Sequence, residues 1–288
     1  MDKESYYRIK HVNPDEIVQI ITNEEIKNDL SEYGEEMNEI GLRIDVYNVF
    51  RDKIIEILKT KKSYEVKKMD NKIVIFDWSG VIMHHEPDIN NDKQAIINTF
   101  KKLLNISDDE AWNIYINTII DENGDYISAQ NDDISKHKWI DRINCYCNSS
   151  ISLEELENIF VEEYLKTETY KEVVEYIQSL LTRCKVGIYS DLIYLCLPAL
   201  DKHVNLSSFD YVWLSFNTHH RKSEEQSFKI VENDLKIETE NILLIDDTLK
   251  NIEIAKRRGW NTCLATGNEL EKIKDVVESF IESKKYTR

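Results

Sequence analysis

Five short apolar runs punctuate the second two-thirds of the chain: KIVIF at 72–76, KVGIY at 185–189, YVWLS at 211–215, NILLI at 241–245 and NTCLA at 261–265. Each is short for a helix and rich in β-branched or aromatic residues, which predicts strands. Helical spacing follows several of them, as in SEEQSFKIVENDL (223–235) and LKNIEIAKRRG (249–259), where Gly259 supplies a C-terminal stop. Strands without polar alternation, separated by helices, predict an α/β fold with a Rossmann-like parallel sheet covered on both faces. The interval from Val81 to Lys185 is far longer than one crossover needs. It carries amphipathic helical patterns at 92–104, 107–120 and 152–165, and reads as a helical cap inserted after the first strand. Before the first strand, Ile40, Ile44, Val49, Ile54, Ile57 and Leu58 recur at broadly helical spacing and end in the charged run KTKKSYEVKKMDNK. Three regions result: a helical N-terminal extension (1–70), an α/β core (71–83 and 170–288) and the cap (84–169).

Composition narrows the classes of function. The chain has 288 residues, with 37 Lys+Arg against 54 Asp+Glu and a formal net charge of −17. Affinity for a phosphate backbone rests on Lys and Arg, so a nucleic-acid role is disfavoured. No apolar run reaches the roughly 18 residues of a membrane span, and the first residues mix acids with bases, which predicts a cytoplasmic protein without a membrane role. The five cysteines are odd in number and scattered, and Cys145-Tyr-Cys147 lacks the spacing of a CxxC pair, so free thiols are expected.

The chemistry lies just beyond the strands. In open parallel sheets ligands bind at the carboxyl ends. The first run leads into Asp77, the second into Ser190 and Asp191, the third is followed by Arg221-Lys222, and the fourth leads into Asp246-Asp247. Carboxylates from separate strands would repel one another, and a divalent cation resolves the repulsion; an all-oxygen donor set with room for water and phosphate suits Mg²⁺. A carboxylate such as Asp77 can attack phosphorus, while Lys222 and the cation offset charge on the transferring group and Ser190 binds a phosphoryl oxygen. Taken singly, Asp77, Ser190 and Asp246-Asp247 are as well explained as caps or turn residues, and Lys222 as a surface lysine. Their joint placement carries the reading. His84-His85 reads as a polar hinge into the cap, His219-His220 as loop, Trp78 as packing, and Trp112, Tyr115, Trp139 and Tyr146 as core faces of cap helices.

VIFDWSGVI, IYSD, RKSEEQSF and LLIDD with NIEIAKRRGWNT behind it resemble the four ordered motifs of the haloacid-dehalogenase-like (HAD) hydrolases, subfamily I with a helical cap, over roughly residues 72 to 267. The resemblance implies Asp77 as nucleophile, Ser190 as phosphate binder, and Lys222 as the base that steadies nucleophile and phosphate. It also implies Asp246 and Asp247 as the acidic pair serving Mg²⁺, with the Ser79 carbonyl as a further metal ligand. The chain departs from the pattern at Ser79, where most phosphatases of the family have an Asp acting as general acid and base, a group typically worth about 10²–10⁴ in rate. A branch resembling bacterial sugar-1-phosphatases also has a small residue there, and its RKPE-like third motif is close to Arg221-Lys222-Ser223-Glu224. Phosphonoacetaldehyde hydrolases share a similar first motif, but their Schiff-base lysine falls here at Asn117, Thr118 or Ile119. Haloacid dehalogenases lack the paired-Asp fourth motif. The expected function is a Mg²⁺-dependent phosphatase acting on a small phosphorylated metabolite. The rival is a HAD-fold binding or regulatory protein without turnover, motivated by Ser79 and by an extension compatible with self-association, a protein partner or packing on the core.

Overall fold

The computed structural model describes residues 72–86, 90–120, 124, 126–130 and 132–283. The N-terminal extension expected over 1–70, and any self-association or partner contact through it, lies outside these residues. Five strands, β1 (Ile73–Phe76), β2 (Lys185–Ser190), β3 (Tyr211–Leu214), β4 (Ile242–Asp246) and β5 (Asn261–Leu264), form one sheet. All are parallel, in the order β3-β2-β1-β4-β5. The chain builds outward from β1 in one direction and then returns to build in the other, so the order reverses beside β1, where ligands bind in such sheets. Phe76 lies opposite Ile188 and Ile245, so the backbone leaves β1 at Asp77 between the strands that end in Ser190 and Asp246.

Alternation of side chains along β1 explains the two layers. Val74 and Phe76 face a large core built with α5 (Lys171–Leu180) and α10 (Leu270–Glu282), through residues such as Val173, Ile177, Ile273 and Val277. Ile73 and Ile75 face a second core, with Phe228 and Val231 of α8 (Glu225–Leu235) and Ile252 and Ala255 of α9 (Leu249–Arg257). With both faces covered, the strands need no polar alternation, which is why they appear in the sequence as unbroken apolar runs. At the start of β1 the buried Lys72 donates from Nζ to the Phe280 carbonyl (2.6 Å) and Ser283 Oγ (2.9 Å), closing the C-terminal end of α10.

Between β1 and β2 stand α1 (Asp92–Leu104), α2 (Asp108–Thr118), α3 (Asp132–Cys147) and α4 (Leu153–Tyr164). Local capping fixes three of their starts. Asn91 accepts from the Gln94 amide, Ser107 and Glu110 form a reciprocal capping box, and Ser152 accepts from the Glu155 amide. Trp139 of α3 is buried edge-on against Phe100, Tyr115 and Phe160, and its Nε1 donates to Thr118 Oγ1 at 3.0 Å. Tyr146 departs from the sequence reading. It is 54% exposed, while Trp139, Ile140 and Ile143 are the buried apolar residues among the described side chains of α3. Residues 197–204 and 215–218 add the short helices α6 (Leu197–Val204) and α7 (Ser215–Thr218). Cys145, Cys147, Cys184, Cys196 and Cys263 are all free, and no helix of the described residues is long and apolar enough to cross a membrane.

Candidate active site

Asp77, Ser190, Lys222 and Asp246 meet at the carboxyl edge of the sheet, as their positions after the apolar runs imply. Asp77 Oδ1 accepts from its neighbour's amide, Trp78 N–H, at 2.7 Å and from Ser190 Oγ at 2.9 Å. Its Oδ2 stands 2.6 Å from Lys222 Nζ, which also stands 2.7 Å from Asp246 Oδ2. Asp246 is fully buried; Oδ1 accepts from the Thr248 amide at 2.8 Å, and Asn251 Nδ2 donates to both carboxylate oxygens at 3.2 and 3.1 Å. The motif reading gives Thr248 and Asn251 no role, although their place at the start of α9, directly behind Asp246-Asp247, is a signal for groups that orient a carboxylate.

Burial raises the Asp77 carboxyl to about 8; Lys222 works against that rise, and Asp246 and Asp247 add to it. For Lys222 burial acts against the charged form, yet the carboxylates of Asp246, Asp77 and Asp191 outweigh it and hold the ammonium above its ordinary range. One cation among several buried carboxylates leaves a surplus of negative charge. Asp77, Asp246 and Asp247 each present an oxygen, all within 4.8 Å of one another. This hard, all-oxygen donor set fits a divalent cation of the Mg²⁺ type.

Gly80 makes the crowding feasible. Its φ is +81°, and a Cβ there would stand 2.2 Å from Asp247 Oδ2 and 3.0 Å from His85 Nδ1. Asp247 Oδ2 pairs with His85 Nδ1 at 3.3 Å. Burial tends to raise the Asp247 carboxyl, but the His85 contact prevails and holds it below its ordinary value. Of the two histidines read as a hinge, one thus also reaches the acidic cluster. His84 does sit in the segment that enters the insertion, with Nδ1 2.8 Å from Glu86 Oε2 and its ring 3.8 Å from that of Tyr170, whereas His85 belongs to the acidic cluster. No spacing rule links position 85 to position 247, so the sequence alone carries no signal for the contact.

Two further residues make contacts that the sequence reading does not include. Asp191 turns its carboxylate to the lysine loop, where Oδ1 accepts from the Lys222 amide at 2.9 Å and Oδ2 lies 3.3 Å from Arg221 Nε. It shapes that loop. The Ser79 hydroxyl donates to Asp92 Oδ2 of α1 at 3.0 Å, a contact from the inserted helices to the loop after β1 that motif matching misses. Trp78 is fully buried, as expected of packing. His219 and His220 are loop residues, the latter paired with Glu224 at 2.7 Å.

A doubly covered parallel sheet whose carboxyl edge gathers an aspartate, a hydroxyl, a lysine and an acidic pair defines a hydrolase-type α/β site. The chain belongs to the haloacid dehalogenase-like hydrolases, whose family model matches residues 74–265. Among solved structures it is similar to a predicted HAD-like family hydrolase from Porphyromonas gingivalis (20% identity, TM-score 0.55, covering 72% of this chain and 97% of that one). It is also similar to a HAD family enzyme from Bacteroides thetaiotaomicron in complex with magnesium and inorganic phosphate (17%, TM-score 0.51, 69% and 96%). An L-2-haloacid dehalogenase shows a more distant likeness (12%, TM-score 0.50, 66% and 82%). These likenesses carry the fold. No curated protein matches the chain.

Proposed function

We propose that the protein is a Mg²⁺-dependent, cytoplasmic phosphatase acting on a small phosphorylated metabolite through an aspartyl-phosphate on Asp77. The observation that carries this reading is the convergence of Asp77, Lys222 and Asp246 within 2.6–2.7 Å contacts at the buried edge of the sheet, with Asp247 completing a cation-sized oxygen cluster. The fold-related Bacteroides enzyme, whose structure holds magnesium and phosphate, is in keeping with it. Asp77 attacks phosphorus, the new O–P bond forms as the bond to the leaving oxygen breaks, and water then cleaves the acyl phosphate to release inorganic phosphate. Ser190, 2.9 Å from Asp77 Oδ1, is placed to donate to a phosphoryl oxygen, and Lys222 to offset the charge that gathers there. Asp77, Asp246, Asp247 and the Ser79 carbonyl are the groups that would hold Mg²⁺, which supplies positive charge beside the transferring phosphoryl group. The inserted helices serve as the cap that selects the substrate. Ser79 donates no proton near neutral pH, so substrates with good leaving groups, such as sugar-1-phosphates or acyl phosphates, are favoured over ordinary alkyl phosphates.

Ser79 also supports a second reading, a HAD-fold binding protein in which the acids hold a cation and phosphate without turnover. Phosphate release from a panel of phosphorylated metabolites, with Mg²⁺ or chelator, separates the two. Release that requires Mg²⁺ and is lost in Asp77→Asn supports the phosphatase. Thermal stabilisation by phosphate analogues with Mg²⁺ but no release across the panel supports the binder.

A further inference from the structure

Arg221 precedes Lys222 in the third motif and has no part in the chemistry above, yet it is held from both sides. Its guanidinium carbon lies 3.5 Å from the centre of the Tyr126 ring, close enough for a cation–π stack. On the core side its Nε is 3.3 Å from Asp191 Oδ2, and the other oxygen of that carboxylate accepts from the Lys222 amide at 2.9 Å. Tyr126 itself is anchored in the inserted segment. It bridges to Ile120 just after α2, and the turn it opens buries Ile127, whose amide donates to the Ile119 carbonyl at 3.0 Å. A continuous set of contacts thus runs from α2 through Tyr126, Arg221 and Asp191 to the backbone of the residue whose ammonium stands between Asp77 and Asp246.

We propose that Tyr126 is a positioning residue: by stacking on Arg221 it seats the inserted helices on the lysine loop, so that Lys222 is held between Asp77 and Asp246 when the insertion is docked. The effect rests on the phosphatase reading only for its kinetic consequence; the mechanical coupling stands apart from it. A planar ring on a guanidinium is the contact at issue, so Phe keeps it and Leu removes it.

The test compares Tyr126→Leu and Tyr126→Phe with the wild-type chain by amide hydrogen exchange. In the Leu variant exchange is expected to rise about tenfold across 219–224 while β1 and β4 keep their protection, and in the Phe variant to stay at the wild-type level. With a substrate from the metabolite panel, Leu is expected to lower kcat about tenfold with KM within about twofold, and Phe to restore it. Unchanged exchange at 219–224 in the Leu variant, or a rise spread evenly over the whole chain, overturns the proposal. If the wild-type chain releases no phosphate, the phosphatase reading fails, and the exchange comparison still decides whether Tyr126 holds the lysine loop.

Discussion

Lys222 Nζ stands 2.6 Å from Asp77 Oδ2 and 2.7 Å from Asp246 Oδ2, a single buried cation shared by two carboxylates that arrive from different strands. Removing one member of a buried ionic set typically costs about 3–5 kcal/mol, because the remaining charge stays desolvated. Lys222→Met is therefore expected to lower unfolding stability by about 3 kcal/mol in chelator, with part of the loss recovered on adding Mg²⁺. The loss has a defined pH dependence. Without the ammonium the Asp77 carboxyl rises further above its unfolded value, and a carboxyl whose folded pKa is raised loses stability as pH climbs from the unfolded value through the folded one. Chemical denaturation at pH 5 and pH 8 checks this: the variant's deficit against wild type should be larger at pH 8, and a deficit larger at pH 5 would contradict the shared-cation picture.

Gly80 sets a second expectation. A side chain at φ +81° is strained in itself, and the Cβ of Gly80→Ala would overlap Asp247 Oδ2. The backbone cost is about 1 kcal/mol. The displaced carboxylate matters more, because it belongs to the oxygen cluster. The variant is expected to fold with a modest drop in Tm and to lose most of the Mg²⁺-induced thermal shift expected of the wild-type chain. A variant with the wild-type Mg²⁺ shift would mean that Asp247 lies outside the cation site.

Glu86 ties the entry to the insertion onto the core. Its Oε1 accepts from Tyr170 Oη at 2.7 Å and from Asn268 Nδ2, and its Oε2 lies 2.8 Å from His84 Nδ1. Partial burial opposes ionisation, but these three partners prevail and bring the carboxyl down to about 2. A depressed carboxyl contributes stability that is present above its unfolded pKa and lost as pH falls through the folded one. Glu86→Gln should thus lower Tm by a few degrees near pH 7, about 1 kcal/mol discounted for exposure, and the two melting curves should converge between pH 4.5 and 2. Curves that stay parallel down to pH 2 would show that the charge on Glu86 contributes nothing.

The fold was largely legible because its strands are buried on both faces. That burial makes IVIF and ILLI stand out against a polar background, and the residues that end them sit at the sheet edge by topology alone. Helices with explicit caps, such as those opened by Ser107 and Ser152, were equally clear. Less clear was α3, where among the described side chains Trp139, Ile140 and Ile143 are buried amid charged residues, so that Tyr146 passes for a core position. The contacts that complete the site were invisible for a different reason. His85 with Asp247 and Arg221 with Tyr126 join segments far apart in the chain, Ser79 with Asp92 joins a loop to the helix that follows it, and no periodicity encodes which loop meets which.

Ser79 and Asp92 allow a sharper test of the missing acid. The Ser79 hydroxyl donates to Asp92 Oδ2 at 3.0 Å, so Ser79→Asp would set two carboxylates against each other. At about 4 Å two like charges repel by about 1 kcal/mol in water and by about 4 kcal/mol at an effective dielectric constant near 20. Installing the family's usual acid alone is therefore expected to give little or no gain. Ser79→Asp combined with Asp92→Ser removes the repulsion and exchanges the two partners. The double variant is expected to raise kcat/KM for alkyl phosphates by about 10²-fold, the lower end of what a general acid contributes, while aryl phosphates with acidic leaving groups change little. Plotting log kcat/KM against leaving-group pKa reads the difference as a shallower slope in the double variant. A full gain from Ser79→Asp alone would show that Asp92 does not stand against position 79 during turnover, and an unchanged slope in the double variant would show that leaving-group protonation does not limit the rate.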